Sequence, residues 1–233
     1  MAPTDPDEPI SGPRERAAEV ETGLEEHEPA RFELILLCTG NRARSPIAEG
    51  FLRDLLAELP VQVRSLGTLE LGAAPALPEA IEAAAVLGLD ISEHRARGLA
   101  GEDLSGADLV VGFEQHHVAA AVVDGGARRD RVFSLPELVE LLEESAPPSS
   151  GEPVERARQA IADAHARRSG HAGAGVAELA DPLGQDRSFY RNTVERVREL
   201  STRLAVGLFG DDAVRPHGVA TPARAGLERG SHP

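Results

Sequence analysis

The chain has 233 residues and a formal net charge of −15, from 39 acidic and 24 basic side chains. That balance argues against a nucleic-acid backbone binder. No apolar run approaches the roughly 18 residues of a membrane span, and a single cysteine, Cys38, excludes an internal disulfide and a zinc site built on four thiolates.

All the basic residues are arginine, which removes Schiff-base lysines and P-loop lysine chemistry from consideration. The first residues carry Asp5, Asp7 and Glu8 with no apolar stretch, so they do not read as a secretory signal. A cytoplasmic protein without membrane or nucleic-acid partners is expected.

Residues 1–30 hold nine acids, two arginines and five prolines without apolar periodicity, as in a disordered acidic arm. The ordered pattern starts at 32–37, a nearly continuous apolar run of the kind found in buried parallel strands. Residues 45–59 then place Ile47, Phe51, Leu52, Leu55 and Leu56 at helical spacing. A second strand is predicted at 61–66, a helix at 77–87, a third strand at 107–112 and a helix at 115–123. A short fourth strand at 131–134 leads into a helix over 136–144 with Pro136 in its first turn. The stretch 145–176 reads as an insertion, with one exposed helix over 154–167 between Gly- and Ser-rich hinges. An amphipathic helix over 187–208 closes the domain, which spans 31–210, and 211–233 reads as a disordered tail. Strands separated by helices predict an α/β fold with a parallel sheet.

The informative segment is Cys38-Thr39-Gly40-Asn41-Arg42-Ala43-Arg44-Ser45-Pro46. A buried strand runs into a short loop, and the loop into a helix with Ser45 as expected N-cap and Pro46 at its first position. Open α/β sheets bind ligands at such a place, beyond the carboxyl end of a strand and at a helix N-terminus. Loop amides and the helix dipole favour an anion there, and Arg44 adds a fork for two phosphate oxygens. The same field favours the thiolate of Cys38.

At these residues the chain resembles the low-molecular-weight protein tyrosine phosphatases. LCTGNRARSPIAEGFL (37–52) is similar to their active-site loop and first helix. The resemblance continues through VRSLGT (63–68), LDISEHRAR (89–97), ADLVVGFEQHH (107–117), VFSLPEL (132–138) and ADPLG (180–184). It implies a three-layer, flavodoxin-like fold: a four-stranded parallel sheet of order 2-1-3-4 with helices on both faces. It also implies no metal and no organic cofactor.

Carried over, Cys38 is the nucleophile and forms a phosphocysteine, and Arg44 binds the phosphate. The amides of Thr39, Gly40, Asn41, Arg42, Ala43, Arg44 and Ser45 cradle it. Ser45 is expected to hydrogen-bond the thiolate, and Asn41 to hold the loop in shape. Asp181, before Pro182, matches the family's general acid and base, with Asp186 as the fallback. Ala43 stands where many relatives carry a second cysteine, so an oxidised Cys38 lacks that disulfide rescue. His116 and His117 are expected as exposed helix residues, and His94 and Arg97 as shapers of the loop before the third strand.

The implied substrate is a phosphorylated protein or a small aryl phosphate. Leu71 and Leu183 stand where tyrosine-specific relatives often place aromatics. Because it adjoins the acid loop, the insertion is expected to gate the cleft. The rival reactions are arsenate reduction coupled to an external low-molecular-weight thiol and catalytically silent phosphate binding. An internal thiol relay is excluded by the cysteine count.

Overall fold

The computed structural model describes residues 31–144, 151–168, 178–211 and 214. The expected acidic arm, nearly all of the expected tail, and both hinges of the expected insertion lie outside them. Among the described residues no helix is long and apolar enough to cross a membrane.

Four strands form one parallel sheet in the order β2-β1-β3-β4, with β1 at Phe32–Cys38, β2 at Val61–Gly67, β3 at Leu109–Gly112 and β4 at Val132–Ser134. Alternation along β1 divides the core. Phe32, Leu34 and Leu36 face a layer of helices, while Ile35 and Leu37 face the opposite layer. The first layer holds α1 (Arg44–Leu55), α2 (Pro78–Val86), α4 (Leu135–Glu143), α5 (Pro153–Arg168) and α6 (Arg187–Phe209). The second is thinner, with α3 (Gln115–Val123) and the segment around Leu99 and Leu104. The chain leaves β1 toward β2 on one side and returns to β3 on the other. The switch point therefore lies between the carboxyl ends of β1 and β3, where such sheets open a crevice.

Two local expectations need correction. Helix α1 starts at Arg44 with Ala43 as its cap residue, so Ser45 lies inside the first turn and caps nothing. Its hydroxyl is taken by the Cys38 thiol instead. A capping box forms instead at the start of α4, where the Ser134 side chain accepts from the Glu137 amide while the Glu137 carboxylate accepts from the Ser134 amide.

Helix α5 is not an exposed appendage. Val154, Ala157, Ala160, Ile161 and Ala164 form a buried stripe against α4 and α6. Most of that stripe is alanine, which gives a weak hydropathy signal but allows close helix packing. Arg158 pairs with Asp108 at 2.9 Å, and Arg168 donates to the Val132 carbonyl with its guanidinium 3.7 Å above the Phe133 ring. Asp108 and Val132 mark the amino ends of β3 and β4. Helix α5 thus braces the edge of the sheet opposite Cys38, and its described residues do not gate the cleft.

Candidate active site

Strand β1 delivers Cys38, only 3% exposed, to the carboxyl edge of the sheet. The next residues must turn sharply into α1. Their carbonyls are tied on one side: Cys38, Thr39 and Arg42 accept from the amides of Thr68, Leu69 and Leu77. In a trans peptide unit the N–H points opposite its carbonyl, so the amides of Thr39, Gly40 and Ala43 face the other way. The Asn41 amide reaches the Cys38 sulfur at 3.2 Å. Gly67 makes room for this turn, since a Cβ there would meet loop backbone at 3.0 Å.

Asn41 holds the turn in a left-handed conformation, with φ at 50°. Its side chain is buried and uses both ends. Nδ2 donates to Ser45 Oγ at 2.9 Å and Ser65 Oγ at 2.8 Å, and Oδ1 accepts from the Arg97 amide at 2.9 Å. His94 Nε2 lies 2.8 Å from the Asn41 carbonyl and 3.2 Å from its Oδ1. Both are acceptors, so His94 carries its proton on Nε2. Burial pushes the His94 pKa below its usual value, although its bond to Asn41 and the Glu49 carboxylate pull the other way. Ser65 in turn donates to the Glu49 carboxylate at 2.5 Å. His94 and Arg97 therefore shape the Cys38 loop itself, rather than only the segment before β3.

Ser45 Oγ lies 3.0 Å from the Cys38 sulfur. That oxygen also accepts from Asn41 Nδ2 and lies 3.4 Å from the Leu66 carbonyl, so the Ser45 hydroxyl can accept from a Cys38 thiol or turn its proton to a thiolate. Arg44, 1% exposed, lines the cleft beside Cys38. Its Nη1 meets Glu114 Oε2 at 2.5 Å and the Leu179 carbonyl at 2.8 Å, and its Nη2 meets Asp181 Oδ2 at 2.6 Å and Thr39 Oγ1 at 3.3 Å. The Leu179 amide donates to the Phe113 carbonyl, which docks the segment carrying Asp181 on the end of β3. Asp181 also accepts from the Leu183 amide at 3.0 Å through Oδ1.

The structure thus brings Asp181 into the cleft that Cys38, Thr39 and Arg44 line. Asp186 lies elsewhere, as the N-cap of α6. It accepts from Ser188 Oγ at 2.6 Å and the Phe189 amide at 2.9 Å, and these bonds, Ser188's foremost, hold its pKa below the usual carboxylate range. The mouth of the cleft is aliphatic, formed by Leu69, Leu71 and Leu183, with Arg42 on its rim.

Sequence reasoning missed Glu114 and misplaced His117. His117 is fully buried rather than exposed, and burial first, then His116 and Arg44, push its pKa down to about 3. Its Nδ1 accepts from the amides of Phe113 and Glu114, and its Nε2 lies 3.0 Å from Thr39 Oγ1. Both residues follow β3 at the switch point, a position that could have flagged them. Glu114, His116 and His117 have metal-ligand chemistry and lie close together. Both ring nitrogens of His117 are already committed to protein groups, which does not fit a metal ligand.

A doubly wound parallel sheet with a thiol and a guanidinium in the loop at its switch point defines an oxyanion-binding class of α/β protein. Comparison with known proteins narrows the class. The family model described as low molecular weight phosphotyrosine protein phosphatase matches residues 33–147. A Ralstonia nicotianae protein named as a probable low molecular weight protein-tyrosine-phosphatase is 38% identical over 105 residues, covering 45% of this chain and 71% of that protein. A protein-arginine-phosphatase of Bacillus subtilis is 34% identical over 110 residues, covering 46% of this chain and 73% of the relative. The solution structure of a low molecular weight protein tyrosine phosphatase from Bacillus subtilis superposes with a TM-score of 0.56 at 28% identity, covering 78% of this chain and 99% of that one. The chain belongs to the low molecular weight phosphotyrosine protein phosphatase family.

Proposed function

We propose that this protein hydrolyses phosphomonoesters, phosphotyrosine in proteins foremost, through a phosphocysteine on Cys38. The observation that carries the reading is the Arg44–Asp181 ion pair, 2.6 Å long, in the cleft above Cys38. It supports the reading because the side chains assigned as nucleophile, phosphate binder and acid line one cleft.

The thiolate attacks phosphorus while the bond to the leaving oxygen breaks. Arg44 and the loop amides from Thr39 to Ser45 hold the equatorial oxygens, where charge concentrates in the transition state. A phosphate dianion takes over the guanidinium that Asp181 occupies in the free protein. Asp181, released from that pair, delivers a proton to the leaving phenolate oxygen. In the second step its carboxylate takes a proton from water as the water attacks phosphorus. The S–P bond breaks, and the Ser45 hydroxyl supports the departing thiolate.

The aliphatic walls at Leu69, Leu71 and Leu183 suit the faces of a phenyl ring, although without the 0.5–1.5 kcal/mol or so that each ring–ring contact would add. The Arg42 guanidinium on the rim, fixed by its Nε to the Pro75 carbonyl at 2.7 Å, disfavours the second guanidinium of a phosphoarginine side chain. Arsenate reduction needs thiols to carry away oxidising equivalents, and the chain supplies only Cys38.

The test is hydrolysis of para-nitrophenyl phosphate, then of phosphotyrosine and phosphoarginine peptides, by wild type and Cys38→Ser. Turnover abolished by the substitution, with the tyrosine peptide preferred, supports the reading. Wild-type protein that is inert to all three yet reduces arsenate with an added thiol would replace it by the reductase.

A further inference from the structure

The hydrogen bonds around Thr39 constrain which way its hydroxyl can act. His117 Nδ1 accepts from two backbone amides, those of Phe113 at 3.3 Å and Glu114 at 3.0 Å. A ring nitrogen that accepts carries no proton, so the proton of the neutral imidazole sits on Nε2. Full burial of the ring, with Arg44 and His116 nearby, keeps it neutral. Nε2 therefore donates to Thr39 Oγ1 across their 3.0 Å contact. Arg44 Nη2 also approaches that oxygen, at 3.3 Å, and a guanidinium only donates. Both acceptor positions of the Thr39 hydroxyl are then filled, and one function remains to it: donating its own proton. Among the described residues nothing accepts that proton, and Thr39 lines the cleft beside Cys38 and Arg44.

We propose that the Thr39 hydroxyl is a fixed hydrogen-bond donor to an oxygen of the phosphoryl group in transfer, and that His117 is the positioning residue that sets its direction. The inference rests on the phosphocysteine reading and adds to the loop a side-chain donor beyond its backbone amides. The donor is oriented before substrate arrives, the condition under which a hydrogen bond lowers a barrier rather than merely reorganising. The imidazole acts through the threonine and does not itself meet the substrate.

The experiment measures hydrolysis of para-nitrophenyl phosphate by wild type, Cys38→Ser, Thr39→Val, Thr39→Ser, His117→Gln and the Thr39→Val/His117→Gln double variant. Inhibition by vanadate and by inorganic phosphate is measured alongside. Thr39→Val keeps the shape and loses the donor, so kcat/KM is expected to fall about 100-fold, mostly in kcat, as when one oxyanion donor is removed. Vanadate inhibition is expected to weaken more than phosphate inhibition, and Thr39→Ser to restore most of the activity. His117→Gln is expected to slow the wild type, but the double variant to be no slower than Thr39→Val alone.

Thr39→Val within about threefold of wild type, in a protein that Cys38→Ser inactivates, would overturn the donor while leaving the phosphatase reading intact; inert wild type would instead overturn that reading. Equal, multiplicative losses from His117→Gln in both backgrounds would overturn the positioning role. If His117→Gln fails to fold, the Thr39→Val and Thr39→Ser pair still decides the donor.

Discussion

Replacing Asn41 by alanine tests whether one side chain sets the shape of the Cys38 loop. The side chain donates to Ser45 and Ser65 and accepts from the Arg97 amide and His94. Truncation removes these bonds, each with a net value of about 1 kcal/mol when buried. It also puts alanine at φ 50°, a left-handed conformation that costs roughly 1–2 kcal/mol without asparagine's local bonding. Some of the freed groups keep another partner: Ser65 still donates to Glu49, and Ser45 still meets Cys38. The expected loss is therefore about 3–5 kcal/mol, below the simple sum of the parts. Urea unfolding at neutral pH measures it, provided the slope of the transition is unchanged. Asn41→Gly supplies an internal check, because glycine relieves the φ cost and should recover about 1 kcal/mol. A loss below about 1 kcal/mol for Asn41→Ala would refute the reasoning and mean that the loop is held mainly by its backbone bonds.

Three further expectations follow from particular contacts. Asp181→Asn should slow hydrolysis of phenyl phosphate, a poor leaving group, far more than attack on para-nitrophenyl phosphate, by about 10²–10⁴-fold for the proton-dependent step; equal effects on both would remove Asp181 from the acid role. His117 titrates near 3 when folded and near 6.5 when unfolded, so it stabilises the fold above pH 6.5 and that contribution drains away as pH falls toward 3. Stability of wild type should fall below pH 6.5 more steeply than that of His117→Gln, by at most about 1.4 kcal/mol per pH unit, and parallel profiles in urea titrations would refute the shift. Ile161→Ala, in the middle of α5, should cost about 2–4 kcal/mol because the side chain is buried against its neighbours, whereas an exposed insertion would lose almost nothing.

The sheet was legible because its strands are short apolar runs bounded by turn residues. The periodicity of α3 and α6 also carried their starts and ends to within a residue. The place of Asp181 in the cleft was legible only through its Pro182 neighbour and the resemblance, since nothing local connects it to Arg44 across 137 positions. Helix α5 was misjudged because an alanine stripe hardly differs in hydropathy from a solvated face, and its burial depends on distant partners such as Asp108 and Phe133. Ser45 was read as a cap because serine before proline is usually one, but the nearby thiol claims the hydroxyl. His117 looked like an ordinary surface residue and Glu114 drew no reading, because their partners Thr39 and Arg44 lie more than 60 positions away.

The claim on which everything else depends is that Cys38 carries the phosphoryl group between the two half-reactions. Asp181→Asn offers a way to catch it: para-nitrophenolate leaves without an acid, while the water step loses its base. Quenched mixtures of this variant with para-nitrophenyl phosphate should contain protein heavier by one phosphoryl group, located by peptide mass spectrometry on Cys38. Turnover without any phosphorylated enzyme, or a phosphoryl group found on another residue, would contradict the account.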